Sequence, residues 1–162
     1  MLLGLLSDTH DNMPLIRKAV KLFNEQNVSL VFHAGDLISP ICLTELEKLK
    51  SKLIVVFGNN DGEKKLWRQK IKGLGEIYDG FFETNIEGQR LLLIHEPHLL
   101  DALIESQKYD VIIYGHTHKA EIKTVGKTLV INPGECGAWL TGRPTVATLK
   151  LPQKEAEIIE LM

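Results

Sequence analysis

The first twelve residues, MLLGLLSDTHDN (1–12), decide the fold, because a short apolar run gives way at once to a polar loop. The run over 2–6 is too short for a typical helix and is typical of a buried strand. Residues two apart in an extended segment point the same way, so Asp8 and His10 aim at one point beyond the strand end. Ligands of open α/β sheets bind at such ends, and an oxygen beside a nitrogen suits a divalent metal. Taken alone, the pair also fits a solvated loop.

The bulk composition is that of an ordinary globular protein. The chain has 162 residues, of which 44% are hydrophobic and 25% charged, and this size predicts one domain over 1–162 with a substantial core. The formal net charge of −2 gives no sign of a surface for nucleic acid. Two cysteines, Cys42 and Cys136, form no metal-binding pair and fit a reduced, cytoplasmic setting. The apolar start is far too short for a signal sequence or a membrane span, so no membrane partner is expected.

Alternating strand and helix patterns fill the first part of the chain, and strand patterns fill the last third. Buried-type strands over 2–6, 30–33 and 53–57, separated by helices, form a βαβαβ unit, for which a parallel sheet is the default arrangement. Helices are predicted over 14–27, 41–49, 63–72 and 98–107, and further strands over 77–86, 90–94, 111–114, 120–125, 127–131, 145–151 and 155–161. Asn12 is expected to cap the first helix. We therefore predict two sheets packed face to face, with helices on their outer faces.

Polar side chains of metal-binding type follow five of these strands. They are four histidines, two aspartates and one asparagine: Asp8, His10, Asp36, Asn59, His95, His116 and His118. Each has an ordinary alternative, since Asp36 fits a helix cap, Asn59 a left-handed turn and His95 a hydrogen-bonded core position. The two imidazoles of Gly-His-Thr-His (115–118) repeat the spacing of the first Asp-x-His pair. Seven ligands are too many for one metal and about right for two that share a bridging carboxylate.

In chain order the motifs are Asp-x-His, Gly-Asp, Gly-Asn-x-Asp, His and Gly-His-x-His, and this order resembles the calcineurin-like metallophosphoesterase superfamily. The small single-domain phosphodiesterases of bacteria and archaea are the branch that it resembles most. The resemblance runs from residue 2 to about residue 148 and includes Asn-Pro-Gly (132–134) and Arg-Pro (143–144). It implies an α/β fold, a four-layer α/β/β/α sandwich of two mixed sheets flanked by helices.

The resemblance also implies a reaction and a set of roles. A hydroxide that bridges two divalent cations would attack the phosphorus of a phosphodiester directly, with no protein nucleophile. One cation would be held by Asp8, His10, Asp36 and His118, and the other by Asp36, Asn59, His95 and His116. The residues that it implies in catalysis are Asp36, Asn59, Asn60 and His116. Mn²⁺ is the expected metal, with Ni²⁺, Co²⁺, Zn²⁺ and iron as alternatives, since the ligands are oxygen and nitrogen only.

Two residues depart from the pattern of the family. Asn60 stands where many members have a histidine, and an amide donates a hydrogen bond but shuttles no proton near pH 7. We therefore expect good leaving groups, such as those of aryl diesters, to be favoured. Glu96 stands where the family has glycine and fits a salt bridge at the rim, repulsion of anions or capture of a third cation. His98 fits a phosphate contact or a solvent-facing position, and Asp61 is expected to orient a ligand histidine.

Three functions are open at this point. A phosphodiesterase for a small substrate leads, and a phosphomonoesterase with the same site is the alternative. The third is a protein-binding scaffold like the retromer subunit of this fold. It is disfavoured because every expected metal-ligand position is filled. The chain leaves no room for the added segments of superfamily nucleases. Trp139 and Leu140 fit either an exposed homodimer interface or a cover over the core.

Overall fold

The chain folds into strands joined by short helices and loops, and the computed structural model describes all of it, Met1–Met162. The strands are β1 Leu2–Leu6, β2 Leu30–His33, β3 Lys52–Val56, β4 Gly75–Tyr78, β5 Phe81–Ile86, β6 Gln89–Ile94, β7 Val111–Ile113, β8 Glu121–Val125, β9 Thr128–Asn132, β10 Thr145–Lys150 and β11 Glu155–Glu160. The helices are α1 Met13–Glu25, α2 Leu43–Leu46, α3 Lys64–Lys70 and α4 Leu100–Glu105, and a 3₁₀ turn over Pro40–Cys42 precedes α2. None of these helices has the length and apolar character that crossing a membrane requires.

The first sheet has the strand order β11-β10-β1-β2-β3-β4. Strands β1 to β4 are parallel, as the βαβαβ pattern predicts, with Gly4 opposite Val31 and Val31 opposite Leu53. Strands β10 and β11 extend the sheet on the other side of β1 by antiparallel pairing. Strand β1 therefore lies in the interior of the sheet, which explains why its residues are almost all apolar.

The second sheet has the strand order β5-β6-β7-β9-β8. Its central strands β6, β7 and β9 are parallel, and the edge strands β5 and β8 pair with them in antiparallel fashion. Both sheets are therefore mixed, and in each the parallel strands bring their carboxyl ends to one edge. Loops that follow those strands are the natural place for a site in such a fold.

Three apolar cores show how the layers stack. The core between the sheets contains Leu5 and Phe32 from the first sheet and Leu93 from the second. A second core lies between the first sheet and helices α1, α2 and α3, and the third packs α4 on the outer face of the second sheet. The layers run helix, sheet, sheet, helix, so the predicted four-layer α/β/β/α sandwich is confirmed.

One strand prediction is wrong. The segment 77–86, predicted as a single strand, is divided by Asp79-Gly80 into β4, which belongs to the first sheet, and β5, which belongs to the second. Gly80 has a φ of 71°, a conformation open to glycine and costly for most other residues. The turn carries the chain from one sheet to the other. The pattern of apolar residues does not indicate this change of sheet.

The helix ends also differ from the prediction. The segment 41–49 forms the 3₁₀ turn and the single turn of α2 rather than one helix. Asn12 precedes α1 but makes no side-chain capping bond, because its amide donates instead to the carbonyl oxygen of Gly137, 2.8 Å away. Asn12 therefore occupies the predicted N-cap position without the side-chain bond of a cap, and it fixes the first loop to the loop after β9.

Candidate metal centre

All seven predicted metal ligands lie at the edge where the parallel strands of both sheets end. Asp8 and His10 follow β1, Asp36 follows β2 and Asn59 follows β3, while the second sheet contributes the other three residues, His95 after β6 and His116 with His118 after β7. The strand ends are brought together by the packing of the sheets, so ligands from distant parts of the chain face each other. Their roles as metal ligands stay predictions.

The loops that carry these side chains are tightly folded. Five of the seven residues have a φ between 43° and 68°: Asp8, His10, Asp36, His116 and His118. Such left-handed backbone costs about 1–3 kcal/mol for each non-glycine residue and concentrates at functional sites. The extended geometry expected at Asp8 and His10 is therefore wrong, and the two side chains converge through the turn of the loop instead.

The first group of donors is built around Asp8. Its Oδ1 lies 3.4 Å from Nε2 of His118 and 3.8 Å from Nε2 of His10, and its Oδ2 accepts the backbone N–H of His116 at 3.1 Å. Oδ1 of Asp8 and Nε2 of His10 are buried and have no hydrogen-bond partner. Buried polar atoms are nearly always satisfied, so this pair is an observation that a cation between the side chains would explain.

The second group is built around Asn59. Its side-chain oxygen lies 2.9 Å from Nε2 of His95 and 2.9 Å from Nδ1 of His116. The other ring nitrogen of His95, Nδ1, lies 2.6 Å from the carbonyl oxygen of Ala34. A backbone carbonyl accepts only from a protonated nitrogen, so this contact holds the Nδ1–H tautomer and leaves the lone pair of Nε2 facing the site.

Asp36 lies between the two groups. Its Oδ2 is 3.7 Å from Nε2 of His10, and its Oδ1 is 3.5 Å from Nε2 of His95, with the carboxylate almost wholly buried. Asn60 donates its side-chain N–H to Oδ2 at 2.7 Å and its backbone N–H to Oδ1 at 2.9 Å. The neighbouring Gly58 leaves room for this arrangement, since a Cβ there would lie 2.1 Å from Oδ1 of Asp36. Asp36 thus has one carboxylate oxygen near each group of donors, and its role as a bridging ligand stays a prediction.

The electrostatics at Asp8 keep its carboxylate ionised. Burial raises the pKa of Asp8, but its interactions with His10 and Ser7 and with the nearby imidazoles outweigh burial and leave the pKa below its usual value. The pKa of His10 is raised, chiefly by Asp8 beside it. Ionised carboxylates and imidazoles without thiolates form a donor set that suits hard or borderline divalent cations, so the residues present fit such metals.

The sequence is similar to known proteins over nearly its whole length. Residues 1–154 match the family model described as the calcineurin-like phosphoesterase superfamily domain. Phosphodiesterase MJ0936 of Methanocaldococcus jannaschii is 42% identical over 165 residues, covering 99% of each chain. The chain belongs to the calcineurin-like phosphoesterase superfamily. The resemblance drawn from the motifs is thereby confirmed, and the chain is a phosphoesterase.

Solved structures place the fold within the same superfamily. A structure described as a novel archaeal phosphodiesterase has a TM-score of 0.93 and 41% sequence identity, and covers 99% of this phosphoesterase and 100% of its own chain. Vps29 of Entamoeba histolytica complexed with Zn²⁺ has a TM-score of 0.70 at 20% identity, with both chains covered completely. At that identity the second likeness shows the shared fold alone.

The role predicted for Asp61 is wrong. Its carboxylate touches no histidine and instead accepts the backbone N–H groups of Asp36 at 3.0 Å, Ile38 at 2.8 Å and Gly58 at 2.6 Å. Asp61 therefore ties together the loops after β2 and β3 of the phosphoesterase. The consequence for the site is indirect, because these bonds hold the backbone from which the Asp36 carboxylate projects.

The other departures from the family pattern lie at the rim. The side chains of Glu96 and His98 contact each other through Oε2 and Nε2, and the His98 ring is mostly exposed. The contact with His98 places the Glu96 side chain at the rim, while its effect on anions or on a third cation stays a prediction. Of the alternatives for His98, the solvent-facing position is the one observed. Trp139 and Leu140 are 66% and 78% exposed, so the expectation that they cover the core is wrong.

A buried carboxylate that the motifs did not indicate also faces the site. Oε1 of Glu135 lies 3.2 Å from Nδ1 of His118, and its carboxylate accepts the N–H groups of Leu140 and Thr141 and the hydroxyl of Thr141. Burial raises the pKa of Glu135, but these hydrogen bonds outweigh burial and lower it. The only signal in the sequence is the place of Glu135 directly after the Asn-Pro-Gly motif.

Proposed function

We propose that this chain is a dinuclear metal-dependent phosphodiesterase. One divalent cation is held by Asp8, His10, Asp36 and His118, and the other by Asp36, Asn59, His95 and His116. The observation that carries the proposal is the buried pair of atoms without partners, Oδ1 of Asp8 and Nε2 of His10, next to the carboxylate of Asp36. The relative named phosphodiesterase supports the choice of a diester as substrate.

Divalent cations at such a site neutralise the charge on phosphoryl oxygens and lower the pKa of water. The side chains prepare the site for this chemistry. Asn60 fixes both oxygens of Asp36 through two hydrogen bonds. The side-chain oxygen of Asn59 lies 2.9 Å from the unprotonated Nε2 of His95, and a cation between these two acceptors would explain their close approach. Asn60 does not supply a proton to a leaving oxygen, because an amide does not titrate near neutral pH. The site therefore suits substrates whose leaving group departs without a general acid.

Mn²⁺ is the metal that we propose, with Ni²⁺, Co²⁺, Zn²⁺ and iron as alternatives. The donors are carboxylate, amide and imidazole groups, and none is a thiolate, the soft ligand that favours zinc. Elemental analysis of the purified protein checks both the identity and the number of the cations. Two equivalents per chain are expected, and a single equivalent in active protein contradicts the dinuclear proposal.

The test of the function compares a diester with a monoester. Protein freed of metal is assayed with bis-p-nitrophenyl phosphate and with p-nitrophenyl phosphate, before and after addition of Mn²⁺. We expect activity to depend on Mn²⁺ and to favour the diester. The Asp36→Asn variant is expected to be inactive, whereas Asp101→Asn, which neutralises an exposed carboxylate on α4, serves as the matched control.

The other outcomes separate the alternative functions. Preference for the monoester would assign the same site to a phosphomonoesterase. Folded protein without activity in any divalent metal would favour the protein-binding scaffold.

We also propose that the chain acts in the cytoplasm and forms a homodimer through Trp139 and Leu140, whose exposed apolar side chains support an interface. Sedimentation of Leu140→Ser beside the unmodified protein tests the homodimer.

A further inference from the structure

An apolar pocket of about 400 Å³ opens near the candidate metal centre. Volumes of this order are typical of sites that bind small molecules. Six apolar or aromatic side chains line it: Phe81, Leu92, Ile94, Leu99, Leu103 and Tyr109. The lining suits an uncharged group rather than a phosphate, since a charge buried against such side chains loses its hydration without compensation.

The pocket has a buried floor and an exposed mouth. Leu92 and Ile94 are buried and belong to the core under α4, whereas Phe81 and Leu99 are 60% and 71% exposed. Groups of large, exposed apolar side chains are typical of surfaces that bind a ligand or a partner. The floor belongs to the second sheet, so the cavity is part of the packed fold.

Two polar residues connect the pocket to the metal centre. Glu96 and His98 line the pocket and follow the candidate ligand His95 by one and three residues. The ring of His98 lies with its centroid 6.4 Å from that of His116, another candidate ligand. A substrate whose phosphate lies among the candidate ligands therefore has the pocket within reach of one of its ester groups.

We propose that this pocket binds the ester group that stays on phosphorus, and that this group is aromatic or similarly apolar. The inference rests on the proposed phosphodiesterase function. In hydrolysis the oxygen of water forms a bond to phosphorus and releases a proton to solvent. The bond to the leaving oxygen breaks, and that oxygen keeps the bonding electron pair and, when it is basic, takes a proton from solvent. The leaving oxygen gains negative charge, which the apolar lining disfavours because it offers no compensating polar contact. The retained ester group gains no charge and fits the pocket.

The same pocket separates diesters from monoesters. A phosphomonoester has no second ester group, so it leaves the pocket empty and loses the binding free energy of an apolar contact. A diester with an aryl group fills it. The substrate class that follows is a phosphodiester with at least one aromatic or comparably apolar substituent, which includes nucleobase-bearing and aryl esters.

The test compares two diesters that share one leaving group. Bis-p-nitrophenyl phosphate retains a nitrophenyl group after cleavage, and methyl p-nitrophenyl phosphate retains a methyl group. In Mn²⁺-loaded protein, the double variant Phe81→Ser/Leu99→Ser is expected to raise KM for the first substrate about tenfold. Its kcat and its KM for the methyl ester are expected to stay unchanged. Val125→Ser, which alters an exposed apolar residue on β8 at the opposite edge of the second sheet from β5, is the matched control.

A binding measurement makes the inference independent of turnover. Calorimetric titration with diphenyl phosphate and with dimethyl phosphate is expected to show weaker binding of the diphenyl ester alone in the double variant. Equal effects on both ligands, or no effect on either, would overturn the pocket assignment even in an active enzyme. A change from dimer to monomer without a selective effect on the diphenyl ester would assign these side chains to an interface between copies. Failure to cleave either diester, by contrast, contradicts the proposed function itself.

Discussion

At the scale of single residues, Glu135 connects the candidate metal centre to the loop that follows β9. Its carboxylate lies 3.2 Å from Nδ1 of His118 and is held from the other side by N–H groups of Leu140 and Thr141. Nδ1 of His118 makes no hydrogen bond, so its contact with Glu135 is one of charge and proximity. Removal of a carboxylate partner behind a ligand histidine typically costs about 10–100-fold in metal affinity. Glu135 is therefore a positioning residue for His118 in our interpretation.

Glu135→Gln keeps the shape of the side chain and removes its charge. We expect the affinity for Mn²⁺ to fall by about tenfold or more, because His118 loses its negatively charged partner. At saturating Mn²⁺, kcat is expected to recover to within about twofold, since Glu135 touches no substrate. Calorimetric titration with Mn²⁺ measures the first quantity, and Glu155→Gln, an exposed replacement on β11, is its control. Unchanged Mn²⁺ affinity would show that the contact is only structural.

Asn60 supports a second prediction about a single residue. Asn60→His places an imidazole, which titrates near neutral pH, where the present amide only donates hydrogen bonds. We expect hydrolysis of a diester with only alkyl groups, followed by phosphorus NMR, to rise at least about tenfold, which is part of the roughly 10²–10⁴-fold that general acid catalysis typically contributes. Bis-p-nitrophenyl phosphate is expected to show little gain, because its leaving group needs no proton. Asn60→Ala separates the loss of the amide from the gain of the imidazole, and an unchanged alkyl rate would contradict the prediction.

At the scale of elements, the strands that carry the candidate ligands are predictable, because each is a short apolar run that ends in a polar motif. The start and end of β1 and β2 are visible in the residues themselves. The division between β4 and β5 is not, since it depends on which sheet accepts each strand. The same limit applies to the prediction of site residues. The motif residues are recognisable from the local sequence, whereas Glu135 is recognisable only in the fold, which brings it beside His118.

Glu45 on α2 shows how an ion pair fastens one helix to another. Its carboxylate lies 2.7 Å from the guanidinium of Arg17 on α1 and 2.6 Å from the ammonium of Lys48. These hydrogen bonds, first that of Arg17, lower the pKa of Glu45 from its usual 4.5 to about 2. A pKa that is lower in the folded state stabilises the fold above pH 4.5, and this contribution is lost as the pH falls toward 2.

The effect of Glu45→Gln on stability is expected to depend on pH, because the pKa of Glu45 is lower in the folded state. At pH 7 the variant is expected to melt a few degrees below the unmodified protein, because both cations lose their partner. The difference in Tm is expected to shrink between pH 4.5 and pH 2, where the carboxylate of the unmodified protein takes up its proton. Thermal melts followed by circular dichroism across this range measure it. A difference that stays constant with pH would mean that packing, rather than charge, explains the loss.

At the scale of the whole molecule, the candidate centre joins the two sheets. Asp8, Asp36 and Asn59 extend from the first sheet, and His95, His116 and His118 from the second, so every proposed cation has ligands on both. The order of the motifs is enough to predict this set, since each motif follows its own strand. The pocket beneath Leu99 is not predictable in that way, because its walls come from β5, β6 and α4, whose packing no local pattern encodes.

Cations that bind across the sheets are expected to stabilise the whole fold. A ligand that binds only the folded state adds about 2.7 kcal/mol when its concentration is 100 times Kd. For a chain of this size 1 kcal/mol corresponds to about 2–4 °C in Tm, so saturating Mn²⁺ is expected to raise Tm by about 5–10 °C above that of metal-free protein. Asp36→Asn removes the carboxylate shared by both sites and is expected to abolish most of this rise. Asp101→Asn, on the surface of α4, is expected to keep it, so an equal rise in all three proteins would place Mn²⁺ outside the proposed centre.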